Sequence, residues 1–178
     1  VHIWKWDDWA SNTIPVPMVV GHEFCGEIVE LGAAAAKYQV GQRVSGEGHI
    51  VCGICRNCRA GRGHLCRNTK GVGVNRPGSF AEYVVVHDSQ VVVISRDIKA
   101  ASASLLACGV ITGFGAVTNT AKVEPGSHVV VIGAGGVGLN SVQGARVSGA
   151  RSIIAVDLSD SKIDAAKKFG ATHGVNSG

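Results

Sequence analysis

The sequence predicts an α/β protein with two unlike parts, a β-rich, barrel-like part followed by a strand–helix–strand unit with a parallel sheet. Three observations carry that prediction. Up to about Asp88 the chain alternates short apolar runs with Gly, Pro and polar residues. After a link at Ser95–Lys99 it becomes rich in Ala, Leu and small residues, and from Ser127 strand-like and helix-like stretches alternate. The expected division is therefore 1–98 and 99–178. With 46% hydrophobic and 17% charged residues, the 178-residue chain has enough apolar surface for a core and the wrong composition for disorder.

In the first part, Val19-Val20, Gly26–Leu31, Arg43-Val44 and Phe80–Val86 read as short strands between Gly, Pro and polar breakers. Few stretches there carry a helical period. Ala100–Thr120 is predicted helical. The strand His128–Ile132, helix Gly136–Ser148, strand Ser152–Val156 and helix Ser161–Phe169 follow, with a third strand beginning in Thr172–Val175. Strands separated by helices at this spacing form βαβ units, which need a parallel sheet.

The turn after the strand Val129-Val130-Val131-Ile132 reads Gly133-Ala134-Gly135-Gly136-Val137-Gly138, a G-x-G-x-x-G pattern. Alone that pattern is weak. Here it follows an apolar strand, opens a helix, and precedes an acid, Asp157, which ends the next strand 19 residues after Gly138. This is the context of a dinucleotide-binding Rossmann turn. Gly133 makes the tight turn, Gly135 lets the backbone approach a pyrophosphate, and Gly138 allows close helix–strand packing. The helix N-terminus offers its free N–H groups to the phosphates. Asp157 is expected to accept from the ribose hydroxyls and to repel a 2′-phosphate, favouring NAD over NADP. Lys162, one turn into the next helix, either borders the adenosine or is a solvated lysine.

Four cysteines are spaced Cys52-x2-Cys55-x2-Cys58-x7-Cys66 on a glycine-rich, basic loop without apolar periodicity. Four thiolates at short spacing suit a tetrahedral structural zinc, closed to chemistry. The competing reading is a disulfide framework, but only Cys25 and Cys108 remain elsewhere, unlike a disulfide-dense secreted domain. Thiols and a thiolate–metal site suit a reducing compartment, so a cytoplasmic protein is expected. The net charge of +4 rests partly on Arg56, Arg59, Arg62, Arg67 and Lys70 of this loop. A basic loop can touch nucleic acid. Without a recognition helix or interleaved aromatics, however, a solvated zinc loop is favoured, and no nucleic-acid partner is expected. No apolar run approaches the roughly 20 residues of a membrane span, and no secretory signal is seen. No membrane partner is expected.

His22 and Glu23 stand in Val19-Val20-Gly21-His22-Glu23-Phe24-Cys25-Gly26. A lone histidine is usually not a ligand; the adjacent carboxylate, the flanking glycines and the nucleotide turn downstream raise this one. Cys108 reads either as a small buried hydrophobe or as a ligand.

Gly21-His22-Glu23-x-x-Gly26, the four-cysteine lobe and the glycine turn with its acid, in that order, resemble the zinc-dependent medium-chain alcohol dehydrogenases. The resemblance covers essentially the whole chain. It implies a GroES-like β-barrel catalytic domain over 1–98 and an NAD-binding Rossmann domain over 99–178. Family members extend further at both ends, so both domains are expected to be partial, the second being the first half of its fold. By the resemblance, His22 and Cys108 are ligands of a catalytic zinc, and Glu23 is a carboxylate able to enter or leave its coordination. His2 falls at the proton-relay position of the family, and His49 matches a histidine that lines the active site in the threonine dehydrogenase branch.

The likeness to that branch is carried by Val1-His2-Ile3-Trp4, Trp6-Asp7-Asp8-Trp9, Thr13–Glu23, Ser45-Gly46-Glu47-Gly48-His49, Cys58-Arg59, Leu65-Cys66-Arg67-Asn68 and Gly71–Pro77. Cys108-Gly109-Val110, Asn119–Gly126 and Lys167–Ala171 are more similar to general and glutathione-linked alcohol dehydrogenases. The implied activity is hydride transfer from an alcohol to NAD, assisted by zinc, with a secondary alcohol such as L-threonine as substrate. The alternatives are a primary alcohol or S-(hydroxymethyl)glutathione, or a zinc- and nucleotide-binding piece without turnover. A homo-oligomer, dimer or tetramer, is expected of the full-length protein.

Overall fold

In the computed structural model, which describes residues 2–33 and 35–178, the chain forms two units, Val1–Ala107 and Cys108–Gly178, each with a core.

The first unit opens with two short helices, α1 (His2–Lys5) and α2 (Asp8–Thr13). Asp7 caps α2, its side chain accepting from Ala10 N–H at 3.1 Å, as an acid at that position should. Three strands, β1 (Cys25–Glu27), β2 (Arg43–Gly46) and β5 (Val91–Val93), form an antiparallel sheet in the order β1-β2-β5. The short pair β3 (His49–Ile50) and β4 (Lys70–Gly71) stands apart from it. As the central strand, β2 is covered on both faces. Val44 packs with Phe24 and Val91, while Ser45 buries its hydroxyl and donates to the carbonyls of Phe24 and Ala103 at 3.1 and 3.0 Å. The helix α3 (Arg56–Arg59) lies in the cysteine loop, and α4 (Ala100–Ser104) closes the unit.

Two expected strands do not form. Val19-Val20 and Phe80–Val86 make no ladder, and the chain bends at Phe80, Ala81 and Glu82. Gly78, Ser79 and Phe80 donate instead to the carbonyls of Val19, Gly21 and Val20, at 2.7, 2.9 and 3.0 Å. Close glycine contacts there replace the regular spacing of a sheet. A Cβ on Gly73 or Gly78 would stand 2.2 or 2.3 Å from the Gly21 carbonyl oxygen.

The second unit follows the predicted alternation. After π-helical turns at Leu106–Val110 and Ala116–Thr120 around α5 (Ile111–Gly115), it runs β6 (His128–Ile132), α6 (Gly136–Val147), β7 (Ser152–Asp157), α7 (Asp160–Phe169) and β8 (His173–Asn176). The sheet is parallel in the order β6-β7-β8, with Val129 opposite Ile153 and Val131 opposite Ala155. One face turns Val131, Ile153 and Ala155 onto Val142, Ala145 and Ala166 of the helices. Burying a side chain such as Ile153 or Val142 contributes about 2 kcal/mol. The other face leaves Val130 and Ile132 exposed. Small residues set the helix spacing: a Cβ on Gly113 of α5 would lie 2.3 Å from the Val137 carbonyl oxygen of α6. α7 ends where Gly170 turns left-handed at φ 119°.

Candidate active site and zinc lobe

In the cysteine loop, α3 places Cys55 before its first turn and Cys58 within it, and a tight turn at Gly63–Leu65 returns the chain to Cys66. Asn57 Nδ2 donates to the Leu65 carbonyl at 2.5 Å and braces the loop. The sulfur atoms of Cys52, Cys55, Cys58 and Cys66 all lie within 4.8 Å of one another. The Cys55–Cys58, Cys52–Cys66 and Cys52–Cys58 separations are 3.5, 3.6 and 4.0 Å. Thiolates about 2.3 Å from one tetrahedral zinc stand roughly 3.8 Å apart, so the donor set fits that ion.

The surroundings favour charged sulfur unequally. Hydrogen bonding to the Cys58 backbone draws the Cys55 thiol down to about 6. Burial, followed by the neighbouring thiols, pushes Cys58 up to about 12. Cys66 is lowered first by the Cys52 N–H at 3.4 Å, and also by the Asn68 N–H at 3.3 Å. A bound divalent cation supplies what this set lacks, a charge that holds all four sulfurs deprotonated.

In the second unit the glycine turn brings its residues together. Gly133 adopts φ 92°, which favours glycine. A Cβ at Gly138 would stand 1.8 Å from the Gly133 carbonyl oxygen, so this position admits no side chain without reshaping the turn. Gly135 and Gly136 face open space, leaving room for a ligand against the backbone, and Val137 lies in the first turn of α6. Asp157, with its side chain 9% exposed, is fixed against the turn. It accepts from Ala134 N–H at 2.8 Å and Ser159 N–H at 3.1 Å, with the Lys162 ammonium at 3.7 Å. The Ala134 hydrogen bond is the main reason its carboxyl is held below the ordinary 3.8; partial desolvation opposes it.

His22 and Glu23 sit in the first unit, where Gly21 is wedged against Gly73 and Gly78, and Ser79 Oγ donates to the Glu23 carbonyl at 3.0 Å. The turn Glu47-Gly48-His49 lies directly on His22. A Cβ at Gly48 would be 3.1 Å from His22 Cβ and 3.6 Å from its Cδ2. The His49 ring meets the Glu47 carboxylate through Nδ1. His2 is held the same way, its Nδ1 2.5 Å from Asp7 Oδ2, with the Trp9 ring 5.5 Å away. Cys108 belongs to the second unit, in the turn Leu106–Val110.

Residues 1–96 match the alcohol dehydrogenase GroES-like domain and residues 136–178 match the zinc-binding dehydrogenase domain. The chain belongs to the zinc-dependent medium-chain alcohol dehydrogenases. It is 55% identical over 178 residues to the L-threonine 3-dehydrogenase of Rhizobium rhizogenes, covering 99% of this chain and 50% of that protein. The chain thus spans about half the length of the curated relatives it matches. A protein described as a short chain alcohol dehydrogenase of Escherichia coli CFT073, complexed with NADH, superposes with a TM-score of 0.88 at 30% identity, over 99% of this chain and 50% of that one. A zinc-binding dehydrogenase of Sinorhizobium meliloti 1021 bound to NADP gives 0.86 at 35% identity, over 92% and 47%.

In this member of the family the structure therefore gathers three groups of candidate residues: the four cysteines, the glycine turn with Asp157 and Lys162, and His22 with the Glu47–His49 turn. Sequence reading did not single out Asp7 and Glu47, the carboxylates that hold the two histidines, or Gln90 behind Glu47. Asp7 carried a visible signal, an acid before a short helix. Gln90 carried none, because its role depends on a partner 43 residues away.

Proposed function

We propose that this chain is the catalytic and first nucleotide-binding part of a zinc- and NAD-dependent dehydrogenase that oxidises the secondary hydroxyl of L-threonine. By the family resemblance residues 1–98 are the GroES-like catalytic part and 99–178 the cofactor part, with α4, on the cofactor side of that division, packed against β1 and β2 of the first unit. The observation that carries the hydride-transfer reading is Asp157 locked by Ala134 N–H to a glycine turn open at Gly135 and Gly136. A carboxylate there accepts from a ribose diol and repels a 2′-phosphate, which favours NAD. The identity to L-threonine 3-dehydrogenases along the whole chain supports the substrate.

Two zincs are assigned. Cys52, Cys55, Cys58 and Cys66 hold the structural one. The family resemblance supports His22 and Cys108, with Glu23 as exchangeable carboxylate, as ligands of the other. When bound there, that ion supplies Lewis-acid activation of a hydroxyl. The chain's own residues then do the following. The turn at Gly133–Gly138 holds the dinucleotide, Gly48 leaves His22 its space, and Asp7 keeps His2 oriented for proton transfer with Nε2 outward. The thiolate site suits a reducing compartment, supporting a cytoplasmic protein, and a homo-oligomer is assigned by the same family resemblance. Among the described residues no helix is long and apolar enough to cross a membrane.

Cys108-Gly109-Val110 favours a second reading, a primary alcohol or S-(hydroxymethyl)glutathione as substrate. The test uses the complete polypeptide and compares NADH formation from L-threonine, a primary alcohol and S-(hydroxymethyl)glutathione. A higher kcat/KM for L-threonine with NAD than for the other two, and than with NADP, is expected. Faster turnover of S-(hydroxymethyl)glutathione overturns the substrate assignment.

A further inference from the structure

Between Glu47 and Glu82 the chain has no acidic residue, yet it carries Arg56, Arg59, Arg62, Arg67, Lys70 and Arg76. Among the described residues none of these six cations lies within ion-pair distance of a carboxylate. Elsewhere the protein does pair its charges: Arg96 meets Glu27 at 2.7 Å, and Lys162 meets Asp157 at 3.7 Å. A zinc held by four thiolates is a dianion, so the six cations more than offset it. The cysteine loop therefore keeps a surplus of positive charge.

Three of the cations share one cleft. Cys55, Arg56, Asn57, Ala60, Arg62 and Arg67 line a cavity of about 610 Å³, within the range that small ligands fill. The backbone beneath each guanidinium is fixed. Arg56 opens α3 directly after Cys55. Arg62 N–H donates to the Asn57 carbonyl at 2.8 Å, and Asn57 Nδ2 in turn braces the Leu65 carbonyl. Arg67 follows the buried Cys66, and its N–H faces the Cys55 sulfur. The three side chains themselves are exposed. One exposed arginine is satisfied by water. Three held around one cleft repel each other, and each presents a fork of parallel N–H donors that matches an oxyanion. No aromatic ring lines the cleft, so it has no platform on which a nucleic-acid base could stack. Its volume leaves room beside a phosphate group for a small organic substituent.

We propose that Arg56, Arg62 and Arg67 form a binding site for a small phosphate monoester on the cysteine loop, with their guanidinium groups on the phosphate oxygens. The site lies within the first unit, whereas the glycine turn belongs to the second. It does not depend on which alcohol the protein oxidises.

The test is calorimetric titration of the complete, zinc-loaded polypeptide with glycerol phosphate and with inorganic phosphate at constant ionic strength. Saturable binding of both is expected, with the monoester the tighter. Arg62→Gln with Arg67→Gln is expected to weaken it by about tenfold or more, as for lost hydrogen bonds to a charged group. Arg59→Gln removes a charge from the same loop outside the cleft and is expected to change it less than about twofold, because exposed charges at a distance are screened. Zinc content is measured on every variant. If the double variant loses its zinc, Arg62→Lys takes its place; it keeps the charge, removes the fork, and is expected to weaken binding more than Arg59→Gln does. Absence of saturable binding overturns the proposal. So does equal weakening by Arg59→Gln and the cleft variants, which would mean a diffuse field. Binding undiminished in a zinc-loaded cleft variant places the anion elsewhere and overturns it too. Tighter binding of inorganic phosphate than of the monoester overturns the ligand class.

Discussion

The two units hold their functional residues by different physics. In Cys108–Gly178 the backbone itself is the scaffold. The ladder from β6 to β8 and the apolar stripes of α6 and α7 set the positions of Gly133, Gly138 and Asp157. In Val1–Ala107 the strands are two to four residues long, and point-to-point ties take over. Four cysteine sulfurs gather around a zinc-sized space, Gln90 anchors Glu47, Asp7 holds His2, and Gly73 and Gly78 close on Gly21. The difference teaches where each unit is vulnerable. A regular unit loses stability when packing is disturbed, whereas a cross-tied unit loses local order when one tie is cut.

Stripping zinc separates the two most sharply. Structural zinc sites hold their ion by about 10 kcal/mol or more, so chelation, or Cys55→Ser with Cys58→Ser, is expected to melt the loop 52–66. Limited proteolysis should cut that loop first while amide exchange in β6, β7 and α6 stays slow. Equal loss of protection in both units would break the comparison.

Next in size is Gly138→Ala, where the new methyl meets the Gly133 carbonyl. A cost of about 3 kcal/mol is expected from overpacking, read as a lowered midpoint in denaturant, together with loss of NAD binding in a titration. Retained binding at full stability would mean that the turn is softer than a regular scaffold allows.

The smallest effect is electrostatic. Asp157 titrates below its ordinary value, so its stabilising interactions are complete above 3.8 and disappear as pH falls from there through the lower folded-state value. Asp157→Asn should flatten stability against pH in that acid window only. It should also narrow the preference for NAD over NADP, measured as a ratio of kcat/KM. A change in stability confined to neutral pH would contradict the assignment.

Legibility followed the same divide. Predicted Gly136–Ser148 and observed Gly136–Val147 differ by one residue, and Ser152–Val156 by one, because amphipathic periods there coincide with the burial the sheet imposes. In the first unit Phe80–Val86 has the composition of a strand, yet a strand needs a partner in register, and its neighbours Val19–Gly21 offer glycine contacts instead. The helix α3 in the cysteine loop has no apolar period and forms around Cys55 and Cys58.

By itself the sequence determined the division into two textures, the alternating order of the second unit, the four clustered cysteines and the glycine turn with its acid. Each is written in local spacing, and local spacing fixes backbone dihedrals and ligand reach. Only the tertiary structure decided that Glu47 backs His49, that Gln90 is buried to hold Glu47, and that Gly48 is bare because His22 lies against it. The last two relations join residues far apart in the chain, and contacts of that kind exist only once the core has closed.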